Sequence, residues 1–114
     1  MLAGAWKTVT LAYATDDTLT PEADLGDNFE FMTCLIPTIT SSTVTVHVAK
    51  GSGDTFFPMY AMDDDATGDF VHTTTAATTT HAVIFRIGGC QFIKIKCGSA
   101  QAANRTFYVR GFNR

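Results

Sequence analysis

The sequence predicts an all-β protein: a single antiparallel β-sandwich or jelly roll of about seven or eight strands, with little or no helix. Three observations carry that expectation. Runs of β-branched and aromatic residues, either alternating with a period of two or apolar throughout, recur at spacings of roughly 8–12 residues. Clusters of Gly, Pro, Asp and Asn punctuate those runs. Threonine accounts for 19 of the 114 residues and, with Val, Ile, Phe and Tyr, favours strand.

Taken in order, residues 1–15 form an N-terminal arm or an edge strand, in which Trp6, Val9, Leu11 and Tyr13 are the apolar positions. Residues 16–114 form the β-sandwich domain. Asp24-Leu25-Gly26-Asp27-Asn28 reads as a turn before a strand from Phe29 to Ile36 whose two faces are both largely apolar, which suits a central strand. Pro37 ends it. Thr43 to Lys50 alternates, with Val44, Val46 and Val48 inward. Gly51-Ser52-Gly53-Asp54 then turns into a strand over Thr55 to Met62, where Pro58 implies an edge or a bulge. After an acidic loop comes a short strand, Phe70 to Thr73, and a threonine-rich connection that needs only to be exposed. The runs His81–Ile87 and Cys90–Cys97 flank Gly88-Gly89, whose freedom at positive φ suits the tight turn of a core hairpin. Thr106 to Phe112 is the last strand, with Phe107 and Val109 opposite Tyr108 and Arg110.

A chain of 114 residues is one domain and is large enough to bury a core without staples. Its net charge of −3 hides a strong asymmetry. All eleven Asp and Glu lie at or before Asp69, with only Lys7 and Lys50 among them, so residues 1–69 carry −9. The other six Lys and Arg begin at Arg86, so residues 70–114 carry +6. Such halves either lie side by side in one sandwich or face each other across subunits in a head-to-tail or lattice assembly. Cys34, Cys90 and Cys97 are odd in number and lack metal-type spacing, which points to free thiols in a reducing compartment. The N-terminus lacks the charge and apolar run of a signal peptide, and no apolar run is long enough to span a bilayer, so a soluble protein made in the cytoplasm with no membrane partner is expected.

Catalytic chemistry is not visible. No nucleophile stands at a recognisable spacing from a base, so the sequence predicts no enzyme and no cofactor. Asp63, Asp65 and Thr67 at alternate positions before Gly68 resemble the first half of a calcium loop, but the bidentate acid would fall at Thr74; a sandwich loop would instead use Asp69 or a backbone carbonyl, and a solvated polar loop is the plainer reading. His47, His72 and His81 share no short zinc spacing. Arg86, Lys94, Lys96, Arg105 and Arg110, with Phe92 and Tyr108, are compatible with a basic stripe for single strands, yet the net negative charge disfavours nucleic acid.

Two resemblances add to this reading. Asp24-Leu25-Gly26 before a core strand, with Gln91-Phe92-Ile93-Lys94-Ile95-Lys96 late in the chain, resembles discoidin or galactose-binding-like jelly rolls. That likeness implies a fold and, as one alternative, a carbohydrate-binding module. More broadly, the stretches Leu35–Asp63 and Phe85–Phe112 resemble small β-sandwich virion proteins of tailed bacteriophages, several of which decorate capsids as cement proteins. The resemblance implies a virion structural protein, a homo-oligomer or lattice component, that bridges the major capsid protein or other virion proteins. A neck, tail or fibre component is the nearest alternative. The contact elements expected are the arm (Trp6, Tyr13), the acidic loop (Asp63, Asp64, Asp65) and the basic C-terminal residues Arg110 and Arg114.

Overall fold

The computed structural model describes residues 2–62, 69–71, 73–76 and 80–114. Its elements are β1 (Leu2–Ala3), β2 (Lys7–Leu11), β3 (Ala23–Ile36), β4 (Ser42–Ala49), β5 (Phe57–Pro58), β6 (Tyr60–Met62), β7 (Asp69–Val71), β8 (Thr73–Ala76), β9 (His81–Cys97) and β10 (Arg105–Asn113). No helix occurs among the described residues. Eight strands make one antiparallel sheet in the order β1-β10-β3-β9-β4-β5, with β2 also on β10 and β8 also on β4; β6 and β7 form a separate ribbon. The sheet curls over one core and remains open, giving the expected all-β, sandwich-like architecture. Pro58 lies in β5 at the sheet's end, where its missing N–H removes no ladder bond.

Gly88-Gly89 does not turn a hairpin. His81–Cys97 is one continuous strand that pairs with β3 from His81 to Ile93 and with β4 from Phe92 to Cys97, and its two halves do not pair with each other. Likewise Asp24–Asn28 is not a turn between elements but lies inside β3. The two glycine signals face each other across the β3–β9 ladder. From Asp24 to Phe29 β3 advances five residues while β9 goes only from Phe92 to Cys90; from Phe29 to Phe31, β9 goes from Cys90 to Arg86. Bulges on opposite strands therefore adjoin, and bulges bend and twist a ladder. Gly26, Gly88 and Gly89 hold φ of 92°, 63° and 84°, which a side chain would strain. The Asp24 carboxylate fixes this corner by accepting from Gly26 N–H (2.8 Å) and Gln91 Nε2 (2.8 Å).

The corner also resets which residues point inward. Ala23, Leu25 and Phe29 are buried before it, whereas Met32, Cys34 and Ile36 are buried after it. An odd-to-even switch is what a bulge imposes on a two-residue period. Phe85, Ile87, Ile93, Ile95 and Cys97 of β9 join them, with Val44 and Val46 of β4, Phe107 and Val109 of β10, and Val9 and Leu11 of β2, to form the core.

Two segments between the long strands are tied in by polar groups. Residues 18–20 extend the sheet beside β9: Thr20 N–H donates to Ile95 O (3.0 Å) and Cys97 N–H to Thr18 O (2.7 Å). The small-residue loop 98–104 is organised by buried Gln101, whose Oε1 accepts from Thr40 N–H (2.9 Å) and Arg105 Nε (3.1 Å). Its Nε2 donates to Thr40 O (3.1 Å) and Ser99 O (3.2 Å), so the amide is fully used. The threonine-rich connection contains a strand after all, β8, which pairs with β4 from Ser42 to Thr45.

Candidate functional site

Beyond the corner, β3 and β9 carry apolar residues on both faces, but the core covers only one. Strand register places the outward side chains in three rows across β1/β2, β10, β3 and β9. The first row is Thr8, Tyr108, Leu35 and Ala82. Next come Arg110, Thr33 and Ile84, with Trp6 at the β10 end of the row. The third is Ala3, Phe112, Phe31 and Arg86. The sequence read β3 as covered on both sides; instead one apolar side is exposed. Ile84 is 57 % exposed, Tyr108 47 %, Trp6 45 % and Leu35 38 %.

Cations and rings interlock on this face. The Arg110 guanidinium lies 5.6 Å from the Trp6 ring centroid while its Nε donates to Gly4 O (2.8 Å). Arg114 sits 4.8 Å over the Phe31 ring, and Phe31 stacks on Phe112 with centroids 5.4 Å apart and planes 20° apart. Cation–π pairing holds an arginine in place while leaving hydrogen-bond donors for a partner. A shallow depression of about 250 Å³ opens among Ala3, Trp6, Thr33, Ile84, Arg110 and Phe112. The rows contain no carboxylate.

Three expected contact residues, Trp6, Arg110 and Arg114, thus meet on one surface. Tyr13 does not join them. It lies past the other end of β2, roughly 20 Å along the strand from Trp6, where its N–H donates to Asn104 Oδ1 (3.3 Å). Asp63, Asp64 and Asp65 fall outside the described residues, as does His72; Asp69 opens β7 opposite Met62. No group of metal-ligating side chains gathers among the described residues. The fold splits the basic stripe: Arg86 and Arg110 lie on the face just described, whereas Lys94 and Lys96 lie across from His47 and Thr45 of β4. Ile84 and Leu35 were not singled out from sequence, and Tyr108 entered only as an aromatic beside the basic stripe.

The acidic groups collect elsewhere. Residues 16–27 carry Asp16, Asp17, Glu22, Asp24 and Asp27 along the segment beside the second half of β9. Thr18 N–H and Leu19 N–H hold the Asp16 carboxyl below the usual carboxylate range. Ser52 Oγ and Gly53 N–H do the same for Glu22, and Gln91 with Gly26 N–H for Asp24. A carboxyl whose folded pKa is depressed stabilises the fold above its unfolded value and loses that contribution as pH falls through the folded value. His47 is depressed too, by burial and by Lys96 and Lys94, so charging it also opposes folding. Thermal scans are therefore expected to show the melting temperature falling on acidification, first below about pH 6.5, where His47 charges in the unfolded chain before it does in the fold, and again below about pH 4. A melting temperature flat from pH 7 to 3 would contradict these contacts.

The thiols are chemically quiet. Burial, with Cys97 nearby, pushes Cys34 up to about 12, and burial pushes Cys97 up to about 11 despite Lys96 and Arg105. Cys90, half-buried at the corner, is raised by burial as well. Because the thiolate is the nucleophile, iodoacetamide at pH 8 is expected to leave Cys34 and Cys97 unmodified in the native protein and to reach Cys90 slowly. Unfolding in guanidinium then exposes all three; mass spectrometry of the two samples checks this.

No family model matches the sequence, and no curated protein matches it. What the geometry defines is a class: an antiparallel β-sheet fold with a partly exposed apolar face. Among solved structures the chain is similar to the SPBc2 prophage-derived protein YomS, with 13 % identity, 94 % of each chain covered and a TM-score of 0.52. The two share a fold. A chain from Bacillus endospore appendages, described as a novel family of disulfide-linked pili, is 13 % identical over 99 % of this chain and 90 % of that one, at a TM-score of 0.33. No helix among the described residues is long and apolar enough to cross a membrane.

Proposed function

We propose that this chain is a non-enzymatic structural component of a phage particle, and that it acts as a capsid decoration protein. The observation that carries the reading is the exposed face bearing Trp6, Leu35, Ile84 and Tyr108, stiffened by stacked arginines. Such a surface suits a flat protein contact better than it suits a substrate. The fold shared with a prophage-derived protein supports it. In this role the protein would bridge subunits of the major capsid protein, adding buried area at their junctions so that lattice contacts stabilise the shell.

Co-sedimentation of the purified protein with undecorated capsids of its phage tests the proposal. Saturable binding that weakens as salt rises is expected, because the contact joins arginines to carboxylates as well as apolar groups. Protein that stays in the supernatant at every salt concentration would sink the capsid role and leave tail or neck assembly as the next partner to examine.

A further inference from the structure

We propose that the apolar and arginine face binds a second copy of this chain, head to tail, by seating on the acidic edge formed by residues 16–27. The inference requires no other virion protein; because it uses the face that carries the capsid reading, one copy engages either a second copy or the shell there, not both.

The face needs a cover. With aromatic side chains presenting roughly 150–250 Å² each, the half-exposed Trp6 and Tyr108 alone leave on the order of 200 Å² in water. Ile84 and Leu35 extend the patch towards the size that marks interaction sites on soluble proteins. Charge selects the occupant. A two-fold dimer brings the same patch against itself, setting Arg110 and Arg114 of one copy against those of the other with no carboxylate in the rows to separate them. The chain carries the complementary surface elsewhere. Asp16, Asp17, Glu22, Asp24 and Asp27 crowd into one segment, with Asp16, Glu22 and Asp24 fixed by neighbouring donors. The segment also brings small apolar surface, since Ala12, Leu19 and Pro21 border a depression of about 300 Å³ there, lined too by Asp16 and Lys94; Lys7, Lys94 and Lys96 stand near these carboxylates, which outnumber them and leave the edge net negative. Single-stranded nucleic acid fits less well, because Ile84 and Leu35, between the rings, offer no stacking surface and the chain's net charge is −3. A head-to-tail contact leaves one face and one edge free on each dimer, so the assembly grows, into a ring where the rotation closes and into an open filament where it does not.

Sedimentation velocity of the full chain over a concentration series, at about 50 mM and about 500 mM salt, reads the association. Oligomers that grow with concentration and retreat with salt are expected. Ile84→Asp places a charge at the most exposed apolar position of the face's middle row, outside the core, and is expected to raise the dissociation constant at least about tenfold. The double change Asp17→Lys with Asp27→Lys reverses charge on the edge and is expected to do the same. Circular dichroism confirms that both variants fold. Mixing them is decisive: one keeps an intact edge and the other an intact face, so together they form a one-to-one dimer that cannot grow. The proposal is overturned if the wild type stays monomeric throughout. It is equally overturned if the edge variant self-associates as well as wild type, which would assign a two-fold contact, or if Ile84→Asp loses only oligonucleotide binding. Capsid binding can fail with self-association intact, or the reverse, so the two readings are separable.

Discussion

Truncating Phe107 to alanine is expected to cost about 3–5 kcal/mol, a large part of the roughly 5–15 kcal/mol that holds a domain of this size together. Phe107 is fully buried in the middle of the core, on the strand that joins β2 to β3. The sheet backbone around it is hydrogen-bonded on both edges and cannot collapse into the vacated space, so both the transfer and the cavity contributions are lost. At about 4 °C per kcal/mol for a small domain, the melting temperature should drop by roughly 12–20 °C. Tyr108→Ala is the internal control. Its side chain is next in sequence but points outward, half exposed, and its loss should move the melting temperature by only a few degrees. Equal drops for the two variants would mean that β10 is not facing as described.

Gly111→Ala is expected to destabilise through excess rather than loss. Gly111 lies on β10 opposite Met32, directly beneath the ring of buried Phe29. A methyl group there would overlap the ring's Cδ2 and Cγ. Further along the same ring a Cβ at Gly4 would come within 2.9 Å of Phe29 Cζ, and Gly4 N–H donates to Gly111 O at 2.9 Å. The buried ring thus lies across two hydrogen-bonded glycines, and a methyl group on either would push against it. Overpacking of this kind costs about 1–3 kcal/mol, seen in urea as an earlier midpoint at unchanged slope. Shrinking the ring should relieve it: in Phe29→Leu the same glycine change should cost less, a coupling that a double-mutant cycle measures directly. Additive effects would show that the clash is absorbed elsewhere.

How much of this could be read from residues alone depends on whether the deciding contact is local. The alternation of Val44 and Val46, of Ile93, Ile95 and Cys97 against Lys94 and Lys96, and of Phe107 and Val109 against Tyr108 and Arg110 marks strand and inward face together, and these faces are found as expected. Gly88-Gly89 and Asp24–Asn28 mislead because the backbone freedom that makes a turn also makes a bulge. Only the pairing partner distinguishes them, and that partner lies about sixty or more residues away. The same limit applied to the surface. Phe31 and Leu35 on one face and Met32 and Cys34 on the other look like a doubly covered strand, and nothing within β3 says that one cover is missing. Trp6, Arg110 and Arg114 could be singled out because an aromatic near one terminus and cations near the other suggest contact. That they stand beside Ile84 follows from register across β10, β3 and β9, which no window of sequence contains.

The opposed bulges also shape the route by which this chain folds. The β3–β9 ladder runs from Ile36↔His81 to Ala23↔Ile93, so its closest partners are 45 residues apart in sequence and its most distant 70. No short hairpin exists at Gly88-Gly89 to nucleate it; a chain whose core hairpin closed there would begin from a two-residue loop. Here the loop-closure entropy of the long excursion must be met before the central contacts form. Folding should accordingly be slow for the chain's length, in the millisecond-to-second range of strand-rich proteins with distant pairings. During that interval the apolar runs of β3 and β9 are open to strands of other molecules, and refolding yield should fall as protein concentration rises.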